Sequence, residues 1–74
     1  MINFIKVNVH VLGSYNRIEK ETYEAYVEVG KIIRVCEKNG KTRITYGYGS
    51  FDYVSESVDE VMKLIEEKEG RKVR

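Results

Sequence analysis

The residues that could carry out catalysis in this chain are few and isolated from one another. His10 is the only histidine and Cys36 the only cysteine, whereas a metal centre needs several ligands and a nucleophile needs a base beside it. His10 falls on the polar side of an alternating segment, and we interpret it as a solvated surface residue. The sequence therefore predicts no catalytic residue, no cofactor and no metal site, and we expect a protein that is not an enzyme.

Tyrosine and arginine are the best candidates for binding chemistry. The chain has 6 tyrosines in 74 residues, and exposed tyrosines beside arginines are typical of protein interfaces. We select Tyr26, Arg34, Arg43 and Tyr48 as candidate protein-binding residues. The same chemistry suits base stacking with phosphate contacts, and for that alternative we select Tyr26, Arg34, Arg43 and Lys41. A formal net charge of only +1 favours a protein partner over nucleic acid.

Length and composition limit the structure that could hold these residues. A chain of 74 residues that is 42% hydrophobic and 34% charged predicts one small domain over residues 1–70, followed by a basic tail over 71–74. No apolar stretch is long enough to cross a membrane, and the N-terminal segment lacks the features of a signal peptide. We therefore expect a cytoplasmic protein with no membrane partner and no disulfide within one chain.

Hydrophobic residues that alternate with polar ones predict five strands. The strongest local signal is Asn39-Gly40, which favours a two-residue type I′ hairpin turn. That turn predicts the register of the flanking strands, with Cys36 opposite Arg43 and Arg34 opposite Thr45 on one face. On the other face it pairs Val35 with Ile44 and Ile33 with Tyr46. We expect strands at residues 5–11, 22–29, 32–37, 42–46 and 51–54, with a polar loop at 13–21.

A single helix is predicted after the last strand. Ser57 and Glu60 form a capping box, and an apolar stripe at helical spacing comes after it. Gly70 is the predicted end of the helix. The resulting fold class is α+β, in which one C-terminal amphipathic helix covers an antiparallel β-meander. That meander is either a curled sheet or a small open barrel of about five strands.

Three segments, at residues 26–35, 42–46 and 54–65, together resemble the small FlbD-like proteins of flagellar and swarming operons. The likeness spans roughly residues 23–66. Its most specific part is the pattern Val54, Glu56, Ser57, Glu60 and Val61 at the last strand and the helix start. The resemblance implies a small regulatory protein and no particular reaction, because that family is named for its gene neighbours.

Three functions remain open from the residues alone. The first is a non-enzymatic protein-binding or regulatory module that acts through a free sheet edge or a hairpin face, with an unidentified protein partner and also a homodimer as its expected assemblies. The second is a small-barrel binder of single-stranded nucleic acid. The third is a phage or mobile-element inhibitor of a host protein, which compact chains without motifs often are.

Overall fold

The computed structural model describes residues 2–69, which form five strands and one helix. The strands are β1 (Phe4–Leu12), β2 (Ile18–Glu28), β3 (Ile32–Lys38), β4 (Lys41–Tyr46) and β5 (Phe51–Val54), and the helix α1 is Val58–Glu69. This arrangement confirms the predicted α+β class. The predictions for Gly70 and for the basic tail at 71–74 lie outside the described residues.

All five strands belong to one antiparallel sheet, in the order β2-β1-β5-β4-β3. The strands β3, β4 and β5 form a meander, and β1 and β2 form a separate hairpin that joins it through β1 and β5. The edge strands β2 and β3 are consecutive in the chain, linked by a short 3₁₀ turn at Val29–Lys31. The sheet must therefore curl to bring its edges together at that turn, but it does not close into a barrel.

The β3–β4 hairpin has the register that its turn predicts over most of its length. Asn39 and Gly40 have φ of 56° and 75°, the positive values that a type I′ turn requires. Cys36 lies opposite Arg43, and Arg34 lies opposite Thr45. The prediction for Ile33 was wrong, because the register shifts between Ile32 and Arg34 and Tyr46 pairs with Ile32 instead. Ile33 is consequently displaced from the ladder and is 68% exposed.

The strand β2 begins earlier than its hydrophobic pattern indicates. Residues 18–21, predicted as loop, belong to β2, and Leu12 of β1 pairs with Ile18. The loop itself shortens to a tight turn at Ser14–Asn16, where Tyr15 and Asn16 have positive φ of 57° and 60°. The returning chain buries His10, which is only 8% exposed and lies in hydrogen-bond contact with the Glu19 carbonyl. The interpretation of His10 as a solvated residue was wrong.

The helix α1 closes the curled face of the sheet. Its capping box is present, since the Glu60 amide donates to Ser57 Oγ at 3.1 Å and the Ser57 amide donates to Glu60 Oε1 at 2.7 Å. Val61 and Ile65 are the buried residues of α1, and the helix packs against β1 and β3. The core contains ten buried side chains from the sheet, the β2–β3 turn and the helix: Ile5, Val7, Val9, Val27, Val29, Ile44, Tyr46, Val54, Val61 and Ile65.

The join between β1 and β5 relies on a side chain as well as on the ladder. Val9 pairs with Val54, and the Ser55 amide donates to the Asn8 carbonyl at 2.9 Å. Where β5 has ended, the Glu56 carboxylate accepts a hydrogen bond from the Asn8 amide at 3.0 Å and another from Asn8 Nδ2 at 2.9 Å. The Glu56 carboxylate thus accepts the hydrogen bond that a backbone carbonyl of a longer β5 would accept. It links the β1–β2 hairpin to the β3–β4–β5 meander.

Candidate functional site

The predicted binding residues lie in two separate places. Arg34 on β3 and Arg43 on β4 share the outer face of the hairpin. Cys36 is two residues from Arg34 and so lies on the same face of β3, and Arg43 lies directly opposite Cys36. Lys41 is exposed at the end of the same hairpin. Tyr26 is on β2, at the opposite edge of the sheet. The four residues selected for a single surface therefore do not form one continuous patch.

Arg43 is held in place by aromatic rings. Its guanidinium carbon lies 4.0 Å from the centroid of Phe51 and 6.0 Å from that of Tyr53, a cation–π arrangement. The Arg43 Nε atom is buried and finds no hydrogen-bond partner within residues 2–69. Tyr53, although on the outer face, is only 6% exposed. Arg43 thus packs as part of the sheet, which leaves Arg34 and Lys41 as the more accessible basic residues of this face.

Tyr26 and Tyr48 meet at a second place, a cleft of about 320 Å³ beside β2, which we call the tyrosine cleft. Tyr48 stacks on Tyr46 with ring centroids 5.6 Å apart and planes within 7°. The Tyr46 hydroxyl donates to Asp52 Oδ2 at 2.6 Å. Burial, together with this hydrogen bond to a carboxylate, raises the pKa of Tyr46 far above its ordinary value. Tyr46 therefore stays neutral and serves as a fixed wall of the tyrosine cleft.

A third feature, which the sequence did not predict, is a groove between β3 and α1. Its volume is about 260 Å³, and mostly apolar side chains line it. From β3 and the turn before it come Val29, Ile32, Ile33, Arg34 and Val35, and from the helix Met62, Ile65, Glu66 and Glu69. A signal for it was present in the helical spacing of Met62 and Ile65, but the exposure of Ile33 depends on a register shift that no local pattern reveals. We call this feature the β3–α1 groove.

Both edges of the sheet carry backbone groups that no strand among residues 2–69 pairs with. In an antiparallel ladder, N–H and C=O groups point alternately toward one neighbour and the other. Lys38 and Lys41 flank a two-residue turn, so their backbone N–H and C=O groups bond to each other. Because the direction alternates along the strand, the backbone groups of Val35 and Glu37 point away from β4, toward the free side of β3. Strand edges of this kind accept an additional strand.

The remaining titratable residues are not arranged around a common point. His10 Nδ1 lies 2.8 Å from the Glu19 carbonyl oxygen, so that nitrogen carries the proton and donates it to the backbone. Across residues 2–69, no three side chains of the His, Cys, Asp and Glu types are grouped to hold a metal ion. No helix in the same range is long and apolar enough to cross a membrane.

Comparison with protein-family models, with curated proteins and with solved structures found no match to this chain. The resemblance to FlbD-like proteins therefore stays a prediction, and the function has to be inferred from the geometry of the sheet edges, the tyrosine cleft and the β3–α1 groove.

Proposed function

We propose that this protein binds an extended segment of another protein by strand addition at β3. The observation that supports the proposal is the β3–α1 groove, whose lining is mostly apolar and which lies beside the free edge of β3. Other surfaces offer only part of this combination. The tyrosine cleft has the charged residues Glu28, Lys31 and Asp52 in its lining, and the outer face of the hairpin has Arg43 already packed on Phe51.

Backbone hydrogen bonds would supply the first part of the recognition. Val35 and Glu37 direct their N–H and C=O groups away from β4, which provides two donors and two acceptors at strand spacing. An incoming strand that pairs with them extends the sheet by one member. These bonds carry little sequence preference, because every residue except proline offers the same groups.

The β3–α1 groove would supply the second part, which is preference for apolar side chains. Alternate residues of an added strand point to the same face of the sheet, and on the helix side that face opens over Met62 and Ile65. Ile33, exposed beside the groove, gives the incoming segment a further apolar contact. The partner segment therefore has apolar residues at every second position.

Charge would supply the third part. The side chains of Arg34 and Lys38 lie on the outer face of β3 and are exposed. Residues of an added strand that point to this face lie directly beside them, and opposite charges at such cross-strand positions are stabilising. The expected ligand is therefore an extended segment that alternates apolar with acidic residues.

The test uses a synthetic peptide that alternates valine and glutamate, and a second peptide of the same composition in scrambled order, with fluorescence anisotropy as the readout. Arg34→Glu should weaken binding of the alternating peptide about tenfold, because an attraction becomes a repulsion. Ile33→Asp should weaken it further by removing an apolar contact. Lys63→Glu, the same charge change on the exposed side of α1, is the matched control and should bind as the unmodified protein does.

Two results would overturn the proposal. One is equal affinity for the alternating and scrambled peptides, and the other is equal affinity of the Arg34→Glu and Lys63→Glu proteins for the alternating peptide. A peptide with lysine in place of glutamate should bind Arg34→Glu better than it binds the unmodified protein, which separates a charge contact from general damage to the fold. Binding of a single-stranded oligonucleotide that weakens steeply with salt would favour the nucleic-acid alternative instead.

A further inference from the structure

We infer that the free edge of β2 pairs with β2 of a second copy of this chain, antiparallel and centred on Thr22, so that two sheets join into one. This inference is independent of the proposed ligand at β3, because β2 and β3 are opposite edges of the sheet. Three observations support it: the direction of the backbone groups, the charges along the strand, and the scarcity of edge protection.

The backbone groups of the even-numbered residues of β2 point to its free side. The Val29 amide donates to the Asn3 carbonyl, which shows that the backbone groups of the odd-numbered residues leading up to Val29 point toward β1. Asn8 directs its amide to Glu56 and its carbonyl to Ser55, so its partner position Glu24 receives no bond from it. The N–H and C=O groups of Thr22 and Glu24 are therefore directed outward. Lys20 lies in the register shift between the His10–Thr22 and Leu12–Ile18 pairs, where the Glu19 carbonyl faces His10 of β1, so the alternation directs the backbone groups of Lys20 outward as well.

Pairing about Thr22 brings opposite charges together. In that register Thr22 lies opposite the partner's Thr22, and Lys20 lies opposite the partner's Glu24. The two-fold symmetry repeats the second contact, so each dimer contains it twice. All these positions project on the outer face, where residues directly opposite each other interact. At the ends of the paired segment, Tyr26 lies opposite the partner's Ile18, an aromatic residue against a β-branched one.

Neighbouring registers lose this match. Pairing about Glu24 places that carboxylate against the partner's Glu24, which is repulsive. Pairing about Tyr23 sets Lys20 opposite the partner's Tyr26, so that neither Lys20 nor Glu24 has a residue of opposite charge across from it. The register about Thr22 is thus the one in which the charged residues of the outward set, Lys20 and Glu24, are both matched.

The β2 edge also lacks several of the features that keep strand edges apart. Edges are commonly protected by proline, by short length, by a covering element, by charged side chains or by a β-bulge. The strand β2 has charged residues and one register shift, near Lys20. The chain has no proline, β2 is 11 residues long, and α1 packs on β1 and β3. The β4–β5 turn borders only the end of the strand, at Tyr26, Val27 and Glu28. Glu24 forms an exposed ion pair with Lys6 at 3.8 Å, which is weak enough to be shared with a second cation.

The experiment measures self-association of the full chain by sedimentation velocity over a concentration series. The unmodified protein should dimerise, and Lys20→Glu and Glu24→Lys should each weaken the dimer about tenfold or more by placing like charges opposite each other. An equimolar mixture of the two variants should recover the dimer, because each then faces its opposite in the other. The double variant K20E/E24K should recover it as well, and Lys63→Glu should leave it unchanged.

A proline variant tests the backbone part separately. The Thr22 amide has no partner in β1, so Thr22→Pro removes no ladder bond from the monomer and should abolish the dimer while circular dichroism stays that of the folded chain. Two results would overturn the inference: an unmodified protein that stays monomeric at every concentration, or a mixture of Lys20→Glu and Glu24→Lys that associates no more tightly than either variant alone.

Discussion

The two edges of this sheet differ in length and in the side chains that lie beside their free backbone groups. The strand β2 is long and has charges of both signs on its outward residues. The strand β3 is shorter than β2, with 7 residues, and lies beside a mostly apolar groove. Backbone groups are available at both, so the difference lies in the side chains beside them. Each strand has one register shift, β2 between its pairs with His10 and Leu12 and β3 at Ile33. We propose that its charges suit β2 to its own copy, whereas the groove suits β3 to a different segment.

Removing a core contact of the helix should change the β3 edge and spare the β2 edge. Val61 is fully buried, and Val61→Ala should lower the free energy of unfolding by about 2 kcal/mol, through lost burial and the cavity that remains. Because α1 forms one wall of the β3–α1 groove, peptide binding at β3 should weaken and self-association should not. Urea denaturation followed by circular dichroism measures the first effect. Val58→Ala, at a half-buried position of the same helix, is the control, and equal stability of the two variants would contradict the prediction.

Removing the hydroxyl of Tyr46 should affect the tyrosine cleft beside β2. Tyr46→Phe deletes the hydrogen bond to Asp52 and should lower the free energy of unfolding by about 1.5 kcal/mol, as expected for a bond to a charged group. Tyr48→Phe, which changes an exposed ring that is 71% accessible, is the matched control and should have a much smaller effect in the same urea denaturation experiment.

The same residue predicts a pH dependence. Burial and the Asp52 carboxylate raise the pKa of Tyr46 in the folded state above its ordinary value of 10.0, so the folded protein keeps a proton that the unfolded chain loses above pH 10. Stability is then unaffected by this group below pH 10 and falls as the pH rises further, by up to about 1.4 kcal/mol per pH unit. The stability of the unmodified protein should converge on that of Tyr46→Phe above pH 10. A constant difference between them from pH 8 to 11 would contradict this.

A change in the β3–β4 turn should have the smallest effect. Replacing Asn39 and Gly40 with alanine should lower the free energy of unfolding by about 1 kcal/mol, because both positions have positive φ that alanine adopts poorly. The loss should appear in denaturation midpoints, with the affinity of β3 for the alternating peptide reduced only slightly. A variant as stable as the unmodified protein would show that the turn does not determine the register of β3.

Features that depend on neighbouring residues were predictable from the sequence. Asn39-Gly40 predicted the register as far as the Arg34–Thr45 pair, since a two-residue turn fixes which residues of the two strands lie opposite each other. The capping box at Ser57 and Glu60 marked the helix start for the same reason, because both of its hydrogen bonds span three residues.

Features that depend on distant residues were not predictable. The segment of β2 between Glu19 and Glu21 is charged throughout and carries no alternation, because it lies in the register shift between the His10–Thr22 and Leu12–Ile18 pairs. The shift at Ile33 arises where the Gly47 amide bonds to the Lys31 carbonyl, a contact between residues outside the two strands. The separation of Tyr26 from Arg34 results from the strand order, which places β5 beside β1 and so moves β2 and β3 to opposite edges.

The join between β1 and β5 has a consequence for how the chain folds. Each of the other ladders connects consecutive strands, so the β1–β2 hairpin and the β3–β4–β5 meander can form from local contacts. Among the strand pairs, only that of Val9 with Val54 closes a long loop, so the large entropic cost of loop closure arises once. Glu56 bonds to Asn8 across that junction, so we expect its carboxylate to act on the step that joins the two halves rather than on the formation of either half.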